Sequence, residues 1–402
     1  VHNISRRNID MLNFNYYNPA RIVFGAGTIQ EVGGLASAYG KKVLFHYGGG
    51  SIKKNGVYDQ VIRSLQESNL DVVELPGVVP NPRLSLVREG IEVCKREKID
   101  FILAVGGGSA IDSAKAIAFG ARLRDDEDIW DDYYLRGNGD IKAAIPVGVV
   151  LTIPAAGSES STGSVITDWD KNLKRAVNSE TIIPRFAIMD PETNYSLPAY
   201  QTGCGVSDIL AHLFERYFTN EQHNDLSDRF LESAMRNIIA YGPLALKHPD
   251  VYRYRAEIMW TGTVAHNNLL DQGRVGDWAS HDIEHEISGI YDLAHGAGLS
   301  IVFPAWMKYV YKKHIDRFVQ FATRVWDVDL TFDDKDLMVE VAIDKLENFY
   351  RSIGMPIRLG DAKIGDEKIR VMAQSALLGK TGLGSFETFT ADDVEKILRL
   401  AL

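Results

Sequence analysis

Ile99-Asp100-Phe101-Ile102-Leu103-Ala104-Val105-Gly106-Gly107-Gly108-Ser109-Ala110-Ile111-Asp112-Ser113-Ala114-Lys115 decides the fold. The opening residues form an apolar run of strand length, a glycine triplet stops it, and helix formers follow at once. The pattern recurs on either side. Residues 42–47 read as a buried strand ending in Gly48-Gly49-Gly50-Ser51, and residues 56–68 have helical spacing with Val57, Val61, Ile62 and Leu65 on one face. Residues 71–75 read as a strand, 84–98 as a helix and 144–153 as another apolar strand. Strand–helix–strand at this spacing predicts parallel strands joined by helical crossovers, an α/β unit over residues 11–195.

Beyond Asp190-Pro191-Glu192 the character changes. Helical spacing is predicted over 206–219, 226–240, 251–270, 278–289, 299–311, 314–326, 336–353 and 391–401, and strand-like alternation is scarce. The expectation is an all-helical second domain over residues 196–402, with no internal repeat and no long linker.

Composition narrows the function. In 402 residues, 54 acidic side chains outweigh 44 basic ones for a net charge of −10, which argues against nucleic acid as a partner. An anionic cofactor held by backbone N–H groups is still allowed. Two cysteines, Cys94 and Cys204, build neither a disulfide framework nor a four-cysteine zinc site, and point to a reduced, cytoplasmic enzyme. No run approaches the roughly 18 apolar residues of a membrane span, so no membrane association is expected. Residues 1–10 have no apolar signal-peptide core and read as an extension preceding Met11.

A strand that ends in glycines at a helix N-terminus offers free N–H groups and a favourable dipole to phosphate, with no Cβ in the way. Neither triplet matches the Gly-x-Gly-x-x-Gly fingerprint or the Gly-x-x-x-x-Gly-Lys loop, and one triplet alone is equally a plain strand-to-helix turn. The first turn carries no Asp or Glu of the kind that accepts a ribose 2′-hydroxyl in NAD sites. Gly49, Gly50 and Ser51 leave room there, and Lys53 and Lys54 add positive charge. If this turn meets the adenosine ribose, NADP(H) is preferred over NAD(H).

Three of the ten histidines fall close together: His281, His285 and His295. Upstream, Asp208 and His212 stand at i and i+4, on one helix face, as do His281 and His285. Such a pair is by itself more often a surface or capping arrangement. Here it sits among Ile209, Leu210, Leu213 and Phe214, and buried polar groups need partners. Groups from two segments then suit a metal site of mixed carboxylate and imidazole. A rival is the run His281-Asp282-Ile283-Glu284-His285, which matches the inverted zincin pattern of a metallopeptidase with Glu284 as general base. The glycine apparatus in the first half has no use in a peptidase. His46, His248, His266 and His314 stand alone and read as structural or solvated.

Together these features resemble the iron-containing alcohol dehydrogenase family, and within it the NADP(H)-dependent butanol dehydrogenase and aldehyde reductase branch. The resemblance runs from Phe24-Gly25 to the C-terminus. It rests on Gly48-Gly49-Gly50-Ser51-Ile52-Lys53-Lys54, Pro80-Asn81-Pro82, Gly106 to Asp112, Gly157-Ser158-Glu159, Asp208-x-x-x-His212 and the spacing of His281 to His295. It implies a dehydroquinate synthase-like fold: a nucleotide-binding parallel sheet followed by a helical domain. It further implies a metal held by Asp208, His212, His281 and His295, Fe(II) expected and Zn(II) the substitute, with His285 a non-ligand beside the nicotinamide ring. The nucleotide would lie on Gly49, Gly50, Ser51, Asn81, Gly107, Gly108, Ser109, Asp112, Thr152 and Lys174. Many relatives have a threonine-rich stretch where this chain has Ala155-Ala156, so no contact is carried over there.

The implied reaction is hydride transfer between NADP(H) and a small primary alcohol or aldehyde, in a homodimer, with His285 relaying the hydroxyl proton. A glycerol dehydrogenase-like or dehydroquinate synthase-like enzyme is the alternative on this fold. The latter needs a cluster of basic side chains for its anionic substrate, and residues 255–300 offer little beyond Arg255 and Arg274. The substrate pocket is expected from the helical domain, with Trp260, Asn267 and Trp278 as candidates.

Overall fold

The computed structural model describes residues 11–329 and 334–402, so the expectation for residues 1–10 lies outside the described residues. Among the described residues there are eight strands: β1 (Arg21–Phe24), β2 (Lys42–Gly48), β3 (Asp71–Val78), β4 (Phe101–Gly106), β5 (Val147–Leu151), β6 (Gly163–Asp168), β7 (Leu173–Asn178) and β8 (Phe186–Met189). Six of them form one parallel sheet in the order β1-β8-β5-β4-β2-β3, while β6 and β7 make a separate antiparallel hairpin. The stretch quoted above supplies β4, whose Leu103 lies beside Phe45 of β2 and whose Ala104 lies beside Val149 of β5. Parallel pairing brings the C-terminal ends of β2 and β4, and thus both glycine turns, to one edge of the sheet.

The crossover helices follow from the sequence pattern. Two short helices, α1 (Val32–Ala36) and α2 (Ser51–Lys54), precede α3 (Val57–Glu67), α4 (Leu84–Glu97) and α5 (Gly108–Gly120). Helix α3 buries Val57, Val61 and Leu65 against the sheet, together with Phe45 and Phe101. Helix α5 is buried along nearly its whole length, between the sheet and β6. The expected strand 144–153 is shorter, at 147–151, because Pro146 has no N–H to give the ladder.

The C-terminal part is helical: α6 (Ala199–Tyr217), α7 (Asp225–Lys247), α8 (Tyr252–His266), α9 (Ala279–Tyr291), α10 (His295–Val310), α11 (Ile315–Trp326), α12 (Lys335–Ser352), α13 (Ile369–Ala376) and α14 (Ala391–Leu400). Its core is a single apolar cluster around Phe214, Phe218, Phe303, Trp306, Phe318 and Phe321. Among the described residues no helix is long and apolar enough to cross a membrane. The β6–β7 hairpin leaves the sheet and lies against α9, held by Arg175 to Glu286 at 2.9 Å.

Candidate active site

One cleft of about 1370 Å³ runs between the two parts, with the glycine turns at one end and the clustered histidines at the other. Gly49, Ser51, Asn81, Gly107, Gly108, Ser109, Asp112, Thr152, Lys174, Asp208, His212, His281, His285 and His295 all line it. Of the expected site residues, Gly50 alone does not; its φ of 108° serves the tight entry into α2.

At the nucleotide end, β4 passes into α5 through Gly107 and Gly108. A Cβ on Gly107 would come within 2.8 Å of the Ile153 Cβ, and one on Gly108 within 3.3 Å of the Ala156 Cβ. Glycine here lets the turn lie flat on the chain that follows β5 and exposes the first N–H groups of α5 to the cleft. Asp112 lines the cleft, yet its carboxylate is already engaged, accepting from the Ser158 hydroxyl at 2.5 Å and the Val165 N–H at 3.0 Å. Lys115, fully buried beneath, donates to the Ser161 and Gly163 carbonyls at 2.9 and 2.8 Å, and burial pushes its ammonium down to about 8. Asn81 bridges to the helical part, donating to Asp292 Oδ1 at 3.0 Å and the Leu293 carbonyl at 3.2 Å. Lys53 departs from expectation. Its ammonium sits 4.5 Å over the Tyr58 ring and 5.4 Å over that of Tyr47, beside Glu74, and does not line the cleft.

At the other end, α6 carries Asp208, His212 and Glu215 along one buried face. Helix α9 adds His281, Glu284 and His285, and α10 starts at His295. Each of three imidazoles has its Nδ1 anchored. His212 Nδ1 faces the Asp208 carbonyl at 2.8 Å, His281 Nδ1 the Glu215 Oε1 at 2.7 Å, and His295 Nδ1 the Glu284 Oε2. An acceptor on Nδ1 holds a ring proton there and leaves the Nε2 lone pair free, as at His212 and His281; at His295 the Lys174 ammonium also approaches Nδ1, at 3.2 Å, beside Glu284. His281 Nε2 is buried without any hydrogen-bond partner, and Asp208 Oδ1 has only His212 Nδ1 beside it, at 3.0 Å. Buried lone pairs are rarely left so poorly satisfied, and a cation would answer both.

Asp208, His281 and His295 present ligand atoms all within 4.8 Å of one another, and the His212 ring stands 4.7 Å from that of His281. Burial, and then its histidine neighbours, hold His281 well below the usual imidazole range. Burial raises Asp208, but His212, His295 and Lys174 outweigh it and keep its carboxyl below the ordinary value. Neutral imidazoles with one carboxylate are what Fe(II) or Zn(II) requires, so the residues fit the metal.

A second grouping, Glu284, His285 and His295, has no carboxylate to spare. Glu284 is fully buried and takes bonds from His295, Ser288 and, at 3.4 Å, Lys174. It cannot act as a general base on water, and the peptidase reading of His281 to His285 falls with it. Burial and the Lys174 charge hold His285 well below its usual range, so it enters the cleft as a neutral ring.

His266 corrects the expectation that it stands alone. Its ring packs edge-on to His212 at 4.3 Å, and Arg216 Nη2 reaches its Nδ1 at 3.1 Å. His46, buried between the Leu75 carbonyl and the Ser113 hydroxyl, is structural as expected, and His314 is held by Glu387. Of the pocket candidates, Trp278 lines the cleft; Trp260 and Asn267 do not, Trp260 being half-exposed against Phe24. Glu215 and Arg216 escaped the sequence reading, and Glu284 entered it only as the general base of the rival pattern. Glu215 had a signal, standing i+7 from Asp208 on the same helix face.

The cations lining the cleft are each paired: Arg136 with Asp132, Lys174 with Glu284, Arg175 with Glu286, Arg216 with Asp271 and Lys380 with Asp282. Arg255 and Arg274 are spent on Thr202 and Asp228. The cleft therefore lacks the open basic cluster that a polyanionic substrate needs.

Comparison with known proteins decides between the readings of this fold. The description "Iron-containing alcohol dehydrogenase" matches residues 19–191, and that of the C-terminal part of the same family matches residues 202–402. The chain belongs to the iron-containing alcohol dehydrogenase family. It is 43% identical to a probable NADH-dependent butanol dehydrogenase 2 of Bacillus subtilis, over 98% of this chain and 100% of the relative. It is 37% identical to the NADPH-dependent aldehyde reductase YqhD of Escherichia coli, over 97% and 100% of the two chains. The crystal structure of NADH-dependent butanol dehydrogenase A from Thermotoga maritima superposes with a TM-score of 0.92 at 41% identity, covering 97% of this chain and 99% of that one. Family membership makes the chain an NAD(P)-dependent oxidoreductase, and the inverted zincin resemblance is a coincidence of spacing.

Proposed function

We propose that this chain transfers hydride between a nicotinamide nucleotide and a small primary alcohol or aldehyde, with Asp208, His212, His281 and His295 as the metal ligands. The single supporting observation is the convergence of anchored imidazoles on the buried Asp208 carboxylate, at the far end of a cleft that begins at a strand–glycine–helix turn. The same reading divides the chain into a nucleotide-binding domain, 11–195, and a metal and substrate domain, 196–402. It makes the enzyme a cytoplasmic homodimer.

When bound, a divalent metal, Fe(II) before Zn(II), supplies Lewis acidity to the substrate oxygen, and the nicotinamide supplies or accepts the hydride. The rest falls to this chain's residues. The N–H groups at Gly107, Gly108 and Ser109 bind the pyrophosphate at the head of α5. Gly49 and Ser51 pass the adenosine ribose while Gly50 shapes their turn, Thr152 and Lys174 touch the nucleotide nearer the nicotinamide, and Asn81 and Asp112 shape the turns around it. His285, neutral and unpaired, takes the hydroxyl proton during alcohol oxidation and returns it during aldehyde reduction.

NADP(H) is the cofactor we propose, because the first glycine turn bears no carboxylate to repel a 2′-phosphate. NAD(H) is the second reading, favoured by Lys53 lying over Tyr58 and away from the cleft. The test is nicotinamide oxidation with C3–C6 aldehydes, NADPH beside NADH, on protein reconstituted with Fe(II) or Zn(II). Turnover of none of them in either cofactor would sink the reductase reading. A clear preference for NADH would sink only the 2′-phosphate argument.

A further inference from the structure

His266 closes α8 at the metal end of the cleft and is the one histidine there with no place in the proposed ligand set or proton transfer. Its surroundings fix its hydrogen bonding. Arg216 Nη2 approaches Nδ1 at 3.1 Å, and a guanidinium can only donate. Nδ1 must therefore be the acceptor, and the proton of the neutral ring sits on Nε2. Arg216 cannot swing away: Asp271 holds its Nε at 2.9 Å, the His212 carbonyl takes its Nη1 at 3.0 Å, and its plane lies over the Trp278 ring at 4.9 Å. The imidazole is pinned from the sides as well, edge-on to His212 at 4.3 Å and to Trp278 at 5.7 Å. Among the described residues nothing pairs with Nε2, and it is absent from the sealed, unpartnered polar atoms, so it opens on the cleft.

We propose that His266 is a specificity-determining residue whose Nε2–H recognises a second oxygen on the substrate, one or two carbons from the reacting carbon. The adjacent rings place this donor beside the proposed ligand His212 rather than on the reacting oxygen. A plain alkyl chain leaves it unanswered, whereas a hydroxyaldehyde or a diol satisfies it. A rigid donor held by Arg216 loses no rotamer freedom on binding. The preferred substrate class is thus the small hydroxyaldehydes and the corresponding diols, and this rests on the alcohol and aldehyde reading of the cleft.

The test uses two isosteric pairs in which a methyl replaces the hydroxyl: 2-hydroxypropanal against 2-methylpropanal, and 3-hydroxypropanal against butanal. The kcat/KM values, referred to the free aldehyde, are measured on metal-loaded wild type, His266→Phe and His266→Gln. Wild type should favour the hydroxylated member of at least one pair by about tenfold, the worth of one hydrogen bond at its upper range. His266→Phe, which keeps a flat ring beside His212, should lose that preference. His266→Gln, which keeps an N–H donor, should recover part of it. A wild-type ratio at or below one in both pairs overturns the proposal without recourse to any variant. So does a preference that survives His266→Phe undiminished. Turnover of neither member of either pair, with NADPH or NADH, overturns instead the aldehyde reading on which the proposal stands.

Discussion

Replacing Glu284 with glutamine removes one negative charge and almost no volume, at a position where both matter. The carboxylate is completely buried, and the Lys174 ammonium it faces is only 4% exposed. Neutralising one partner of a buried ion pair costs ~3–5 kcal/mol, because the other charge is left uncompensated. The 3.4 Å separation is long and the cleft brings water to Lys174, so the lower end, about 3 kcal/mol, is expected here. On metal-free protein of this length that is a fall in melting temperature of roughly 3–4 °C. Independently, His295 loses the anion that orients its ring, and metal affinity should fall about 10–100-fold. The two effects separate in the double variant Glu284→Gln/Lys174→Met, which removes the stranded charge without restoring the anion. Its melting temperature should return most of the way to wild type while its metal affinity stays low. Calorimetry on the metal-free proteins and Zn(II) competition against a chelating dye read the two quantities. Zinc affinity of Glu284→Gln within threefold of wild type, or no recovery of stability in the double variant, would refute the argument.

His285→Ala should lower turnover while leaving metal content near wild type, whereas His281→Ala should abolish both; metal analysis beside steady-state rates tells them apart, and metal loss in the first variant would make His285 a ligand. Burial holds His46 at about 4 against an ordinary 6.5, so its contribution to stability is complete above pH 6.5 and is lost as the pH falls towards 4. At ~1.4 kcal/mol per pH unit that amounts to about 3 kcal/mol, and urea titrations should show this loss between pH 6.5 and 4 in wild type and not in His46→Gln. A Cβ on Gly296 would lie 2.0 Å from the Cys204 carbonyl oxygen, between α10 and α6. Gly296→Ala should therefore destabilise the protein by at least ~1–3 kcal/mol and cost it metal, since the strain falls between Asp208 and His295; an unshifted melting curve would contradict this.

What the sequence concealed has particular causes. The strands β2, β4 and β5 announce themselves because each is a run of buried residues ended by a turn signal. By contrast β1 and β8 have four residues each and pair with one another from opposite ends of the sheet-forming segment, a contact that no local periodicity reports. Helical spacing alone starts α6 at 206, but the helix begins at Ala199. Gly203 and Gly205 read as helix breakers; a Cβ on either would strike the Ile353 or Pro154 carbonyl, at 2.6 and 2.3 Å, so they are close-approach glycines within the helix. Likewise α10 begins at His295 rather than 299, because Gly296 and Gly298 let its first turn press against Cys204 and Glu284. Asp208 and His212 are legible as one i, i+4 pair and His281 with the non-ligand His285 as another, whereas His295 joins the ligand set only through the family resemblance; the cleft does gather Asp208, His281 and His295. His266 was not legible, because Arg216 and His212 meet it only through the packing of α6 on α8.

The β6–β7 hairpin belongs to the first half of the chain by sequence, yet it touches both halves, β6 lying on α5 and β7 on α9. Its Lys174 and Arg175 answer Glu284 and Glu286 on α9, four residues that span any joint made near position 195. A chimaera assembled there from two parents, in the hope of exchanging cofactor preference without touching substrate choice, inherits the cations from one parent and the anions from the other. Modularity in this enzyme therefore has a seam that runs through space and not along the chain. Nucleotide specificity can be transplanted only if the hairpin and the face of α9 opposite it travel as one inheritance.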